Sequence, residues 1–331
     1  MTAGRKFGLL AGLVLSLALL WALPALAADQ DCLACHGDPG MKSDKGKSLH
    51  VDWAKHKSSV HGELGCTTCH EGVKEYPHPK NMKMPACASC HSDEVAQVPQ
   101  SVHSILGKEA CASCHGQTHE VQHADKLVLQ QCATCHDDAV HGFQQGVHAV
   151  ARKSGDMKTP TCLSCHGSPH QILAADNPKS PVHHNNIPGT CATCHSKKRV
   201  MNASGDSTQE VYSYAESVHG QAVANGSTKA AVCTDCHGVH EIRRASDEKS
   251  SIFKFNVPLT CAKCHESVKS EFMQSIHGQA IARGNSLAPV CTDCHGIHSI
   301  KSHLDPNSPV NAQNLARLTC ARCHEGVRLS Q

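Results

Sequence analysis

Aromatic side chains are nearly missing: five Phe, three Tyr and two Trp make up 3% of 331 residues. A compact chain of this length normally buries large apolar side chains, so an ordinary apolar core is excluded and something else must supply its bulk. An excess of basic charge is also absent. The formal net charge is +2, and setting aside Arg5 and Lys6 leaves 29 basic against 29 acidic residues. That balance excludes the basic face of a nucleic-acid binder. No alternating apolar run reads as a strand, and beyond Leu23 no stretch is apolar enough to cross a membrane. Unpaired cysteines are missing too, because all 22 fall into pairs with two residues between them and each pair is followed at once by His.

The one apolar run, Phe7 to Leu23, follows Arg5 and Lys6 and ends near "ALA" at Ala25–Ala27. This pattern predicts a secretory signal peptide over residues 1–27, cut before Ala28. An uncleaved anchor is the competing reading, although the run is short for a span of about 20 residues. Cys32 lies too far past the cut for a lipoprotein anchor.

Exported chains rich in cysteine usually read as disulfide frameworks, but a framework gives no reason for the histidines. The eleven C-x-x-C-H motifs are Cys32–Cys35–His36, Cys66–Cys69–His70, Cys87–Cys90–His91, Cys111–Cys114–His115, Cys132–Cys135–His136 and Cys162–Cys165–His166, followed by Cys191–Cys194–His195, Cys233–Cys236–His237, Cys261–Cys264–His265, Cys291–Cys294–His295 and Cys320–Cys323–His324. On one helical turn, residues at i, i+3 and i+4 share a face. Two thiols can then form thioethers with the vinyl groups of one porphyrin, and the adjacent His is aimed at its iron. Zinc needs four ligands in paired sets, and a thioredoxin-type site needs an α/β scaffold. Neither fits eleven identical triplets, so the cofactor expected is covalent haem c at eleven sites.

"SVHGQAVANGSTKAAVCTDCHGVHEI" and "SIHGQAIARGNSLAPVCTDCHGIHSI" show the larger frame, a repeat signal in itself. His61, His103, His148, His219 and His277 each precede a motif. His78, His119, His170, His240 and His298 each follow that motif by three to eight residues. The unit is therefore leading His, motif, trailing His, motif, five times over, after a lone first motif. These ten are the candidate distal ligands. The eleventh is His50 or His56, by nearness to the first motif, with His123, His141, His183, His184 and His303 as spares. Met41, Met82 and Met84 are read as packing against porphyrin.

With these motifs and this histidine frame the chain resembles the multihaem c-type cytochromes of respiring bacteria, closest in character to the cytochrome c3-like, bis-histidine families. The resemblance covers essentially all of the mature chain. It implies covalent haem c, attached in the periplasm, little regular secondary structure and electron transfer between closely stacked haems. The expected fold is coil with short α-helices wrapped around a haem array, with little or no β-structure. It is arranged as a single-haem segment over 28–60, a four-haem region over 61–140 and a six-haem region over 141–331. Roughly 28 mature residues per site leave no room for separate cores, so the haems form the core.

Bis-histidine ligation saturates iron and favours low potential. The expected function is a low-potential electron conduit of anaerobic respiration, periplasmic or exported and not an enzyme. Its donors would be other cytochromes or a membrane quinol-oxidising complex, and its acceptors a downstream reductase or an outer-membrane cytochrome. Membrane contact is expected only through an uncleaved N-terminal segment. Two alternatives stand beside it: an oxidoreductase of nitrite, hydroxylamine or tetrathionate type with one open haem, and a subunit of an extracellular cytochrome filament.

Overall fold

Three motifs of the "CHG" kind fold as a single helical turn with the same exit. Helices Cys162–His166, Cys233–His237 and Cys291–His295 all stop at a glycine. Gly167, Gly238 and Gly296 take φ of 84°, 81° and 82° with ψ near 180°, a region essentially reserved for glycine. The chain turns there, just ahead of the trailing histidine. The entry is fixed as well. In "CTDCH" the Asp235 and Asp293 carboxylates accept the Val232 and Val290 N–H at 2.7 Å, in the manner of a capping box. The second motif of each unit lacks the glycine, and its helix starts earlier, at Ile187–His195 and Val257–Gln274, each with Pro in the first turn.

The computed structural model describes residues 23–80, 82–83, 85–122, 128–204 and 207–324. Met84, His123 and most of the expected signal segment lie outside them. Among the described residues the fold is short helices and coil with one isolated β-bridge, Lys42–Ser48, as the sequence predicts. No helix of the described residues is long and apolar enough to cross a membrane.

The chain divides into two compact units, residues 1–99 with 103–128, and residues 100–102 with 129–331. In the first, helix Leu23–His36 carries the lone motif, and buried Asp29 accepts the Cys66 N–H at 2.8 Å, fixing the second motif beside it. Helix Trp53–Lys57 then leads into His61.

In the second unit the leading histidines sit in the first turn of helices Val147–Lys153, Val218–Ala224 and Ile276–Ala282. Ser217 and Ser275 cap two of these, accepting the Gly220 and Gly278 N–H at 3.0 and 3.2 Å. The glycine of "HG" is required: a Cβ at Gly220 or Gly278 would lie 2.1 Å from the Tyr214 or Phe272 carbonyl oxygen. A loop recurs three times after the trailing histidine, centred on fully buried Ser180, Ser250 and Ser308. Asn186, Asn256 and Asn314 each donate two side-chain hydrogen bonds across it. The apolar cluster present is small, with Val257, Ile281, Ala288 and Val290 buried together.

One backbone hydrogen bond ties each unit to the next. The residue before the leading histidine donates its N–H to the carbonyl two residues past the trailing histidine of the following unit. The pairs are Val60 to Val121, Val102 to Ile172, Val147 to Ile242 and Val218 to Ile300, at 2.8 to 2.9 Å.

Candidate haem-binding sites

The glycine turn and the inter-unit hydrogen bond together carry flanking histidines onto motif histidines from elsewhere in the chain. Eight such pairs face one another. Ring centroids are 5.9 Å apart for His36 and His78, 6.1 Å for His61 and His91, and 6.2 Å for His70 and His119. In the second unit they are 6.2 Å for His148 and His195, 6.2 Å for His166 and His240, and 6.3 Å for His219 and His265. His237 with His298 and His277 with His324 follow at 5.9 and 6.1 Å.

Each pair joins one motif histidine to one flanking histidine, and the register follows two rules. A leading histidine faces the second motif of its own unit: His61, His148, His219 and His277 do so. A trailing histidine faces the first motif of the preceding unit, or the lone motif where no unit precedes: His78, His119, His240 and His298 face His36, His70, His166 and His237. The remaining histidines of the frame outside the last unit, His103, His115, His136 and His170, are engaged as well.

The spacing fits an iron between two imidazoles. A metal–nitrogen bond is about 2 Å and each nitrogen lies roughly 1 Å from its ring centre, so trans ligands have centroids about 6 Å apart. The electrostatics agree. Burial, and then the facing imidazole, hold His148, His166, His219 and His237 below the ordinary histidine pKa, which keeps the neutral, ligating form.

The thiols are unbridged, and successive motifs approach through them. Burial, and then Asp29, push the Cys66 thiol up to about 12. The Cys261 and Cys291 thiols share a hydrogen bond that raises the first and draws the second down to about 7, and Cys191 with Cys233 repeats the arrangement. Cys165, Cys236 and Cys294 in turn feel cysteines of the motif that follows. The C-x-x-C-H motifs thus form a continuous series within the second unit.

The histidines outside the frame have other roles here. His184 Nε2 donates to the Ala230 carbonyl at 2.9 Å, and Gln145 donates to His141 at 2.6 Å. His50 is half-buried and in no ring pair among the described residues. His56, 8% exposed, packs on Trp53 and stands edge-on to His119, its ring 6.0 Å away. His56 lies five positions before His61, where Phe143, Tyr214 and Phe272 precede their own leading histidines. It therefore fills an aromatic packing position. The pairing register is the functional feature that sequence reasoning missed. Its signal was present as Val or Ile two residues past His119, His170, His240 and His298.

Residues 103–278 match the family model of the outer membrane cytochrome MtrC/MtrF-like proteins, domains II/IV. No curated protein and no solved structure matches the chain.

Proposed function

We propose, from the premise that this chain belongs to the MtrC/MtrF-like outer membrane cytochrome family, that it is an eleven-haem bis-histidine conduit working at or beyond the outer membrane. Family membership makes it a multihaem cytochrome with covalently bound haem c that transfers electrons. The finer reading adds the count, the ligands and the route. Each C-x-x-C-H holds one haem, and a flanking histidine closes the sixth position of an iron attached elsewhere in the chain.

The observation that carries this reading is the set of eight imidazole pairs at 5.9 to 6.3 Å, each made of one motif histidine and one flanking histidine. Haem c supplies the one-electron chemistry when bound. The chain's own part would be to hold two imidazoles at each iron, which would let it change charge without exchanging a ligand. A neutral polypeptide carrying two propionates per haem is acidic overall, which steers it towards partners with a basic face. Donors and acceptors of that kind are other envelope cytochromes, with a quinol-oxidising complex upstream and an outer-membrane cytochrome or reductase downstream. The N-terminal segment directs export.

Intact mass of the mature protein together with low-temperature EPR tests the reading. Eleven haems per chain with overwhelmingly low-spin ferric signals is the expected result. Fewer attached haems, or high-spin signals from many of them, would refute it.

A further inference from the structure

Three helices that carry a leading histidine share one frame, so residues at equal steps past His148, His219 and His277 hold equivalent seats. Four positions on, on the same helical face as the histidine, stand Arg152, Val223 and Ile281. Val223 and Ile281 are 6% and 5% exposed. Ile281 packs with Ala288 and Val290 beside Cys261 and Cys291, where two successive motifs meet. The third repeat has the same junction, for the Cys132 thiol shares a hydrogen bond with that of Cys162. Its filling is polar, with Arg152, Thr159 and Thr161 in the seats of Ile281, Ala288 and Val290.

No acid holds Arg152 in place. The residue is half-buried, and its Nη1 donates to the Met157 and Thr159 carbonyls at 3.4 and 3.3 Å. Among the described residues no carboxylate forms an ion pair with it. Nor does it replace the bulk of Ile281: a cavity of about 320 Å³ opens beside it, between Leu129, Phe143, Ala149 and Met157. The junction is left with a full positive charge, since a guanidinium does not deprotonate in proteins. The adjoining motif differs in the same sense. "CTDCH" carries Asp235 and Asp293, whereas "CLSCH" has neutral Ser164, whose hydroxyl accepts the Thr161 N–H at 3.0 Å in the aspartate's stead.

We infer that Arg152 is a redox-tuning residue: its charge, at the junction of Cys132 and Cys162, raises the potential of the haem attached at Cys162 and Cys165. The inference rests on the haem-binding and pairing readings above. One electron from an upstream cytochrome takes that site from ferric to ferrous with no bond made or broken, so its net charge becomes one unit more negative beside the guanidinium. Attraction at an effective dielectric constant of about 20 favours that reduced state. Ser164 leaves the attraction uncancelled. The junction between the second and third repeats thereby holds an electron more tightly than the apolar filling found around Ile281 would.

The test uses the mature holoprotein, with haem content fixed by intact mass, titrated with a chemical reductant at known potentials and followed by low-temperature EPR. His240→Ala removes the ring that faces His166 and marks that one haem by a high-spin signal. In this background Arg152→Ile, the residue type of the fifth repeat, should lower the marked haem's ferrous-to-ferric ratio at fixed potential about tenfold. That is a shift of about 59 mV for one electron. Arg152→Gln should do the same, and Arg152→Lys should stay within about twofold of its parent. Ser164→Asp, at an exposed position, should lower the ratio about threefold. A haem marked instead at His237, by His298→Ala, should not respond to Arg152→Ile.

A marked haem that keeps its potential in both Arg152→Ile and Arg152→Gln would overturn the inference. So would an equal drop in Arg152→Lys, which would make the effect one of packing. A drop of the same size at His237 would overturn the assignment to this junction. A His240→Ala protein with no high-spin signal, or an intact mass short of eleven haems, would instead break the pairing or attachment beneath it, and the inference with it.

Discussion

The two compact units solve the same ligand problem with different scaffolding. In the second unit, leading histidines stand 14 residues before their motif, on helices with serine caps at two of three, and the Ser180, Ser250 and Ser308 loops recur in register. In the first unit His61 stands five residues before its motif, in the turn after helix Trp53–Lys57, and no such loop is found among the described residues. Even the separation of ligands changes. His61 reaches His91 across 30 positions, whereas His148, His219 and His277 reach theirs across 47, 46 and 47. Yet the rings end 6.1 Å apart in the one case and 6.1 to 6.3 Å in the others. The constraint preserved is the distance between imidazoles, and loop length adjusts to meet it.

That comparison can be broken most visibly by removing one ligand from each region. On the bis-histidine reading, His61→Ala and His219→Ala should each convert one haem from low to high spin, read by EPR. A response in only one region would show that the two pairs are not equivalent. Next in size is the glycine after the leading histidine. A Cβ at Gly62 would lie 2.3 Å from the Lys57 carbonyl oxygen, and one at Gly278 2.1 Å from that of Phe272. Alanine at either should cost about 3 kcal/mol by thermal denaturation, because the obstacle is backbone on both scaffolds.

Smaller effects should separate the regions. Ser217→Ala removes a helix cap and should cost about 1 kcal/mol. Ser250→Ala removes a buried hydroxyl that donates to the Arg243 carbonyl at 3.3 Å, again about 1 kcal/mol. Ser59 holds the place of Ser217 in the first unit but accepts the His61 N–H at 3.2 Å in a turn, with no helix to cap, and Ser250 has no counterpart among the described residues there. The smallest change is expected for His56→Phe, which restores the aromatic found at Phe143, Tyr214 and Phe272 and should leave every low-spin signal in place. A new high-spin haem in that variant would make His56 a ligand after all.

Motifs, frame and fold class were legible in the sequence because each is local. The glycine of "CHG" and the aspartate of "CTDCH" act within one helical turn, and a deficit of aromatic residues needs no coordinates to count. The register was not legible. Whether His240 serves the haem at His237 or the one at His166 depends on how successive units stack, and stacking is set by the Val147 to Ile242 hydrogen bond between segments 95 positions apart. Nearness along the chain suggested His50 or His56 for the first haem, whereas the ring facing His36 is His78, beyond the next motif. The aromatic role of His56 was hidden for a related reason. Only its alignment on Tyr214 and Phe272, together with its packing on Trp53, shows what the position does.

The central claim is the pairing register, and a holoprotein structure at a resolution that places each iron between its nitrogens tests it most directly. The account predicts His219 with His265 on one iron, His240 with His166 on a second, and His298 with His237 on a third. Finding a trailing histidine on the haem of its own motif, His240 on the iron of His237, would contradict it.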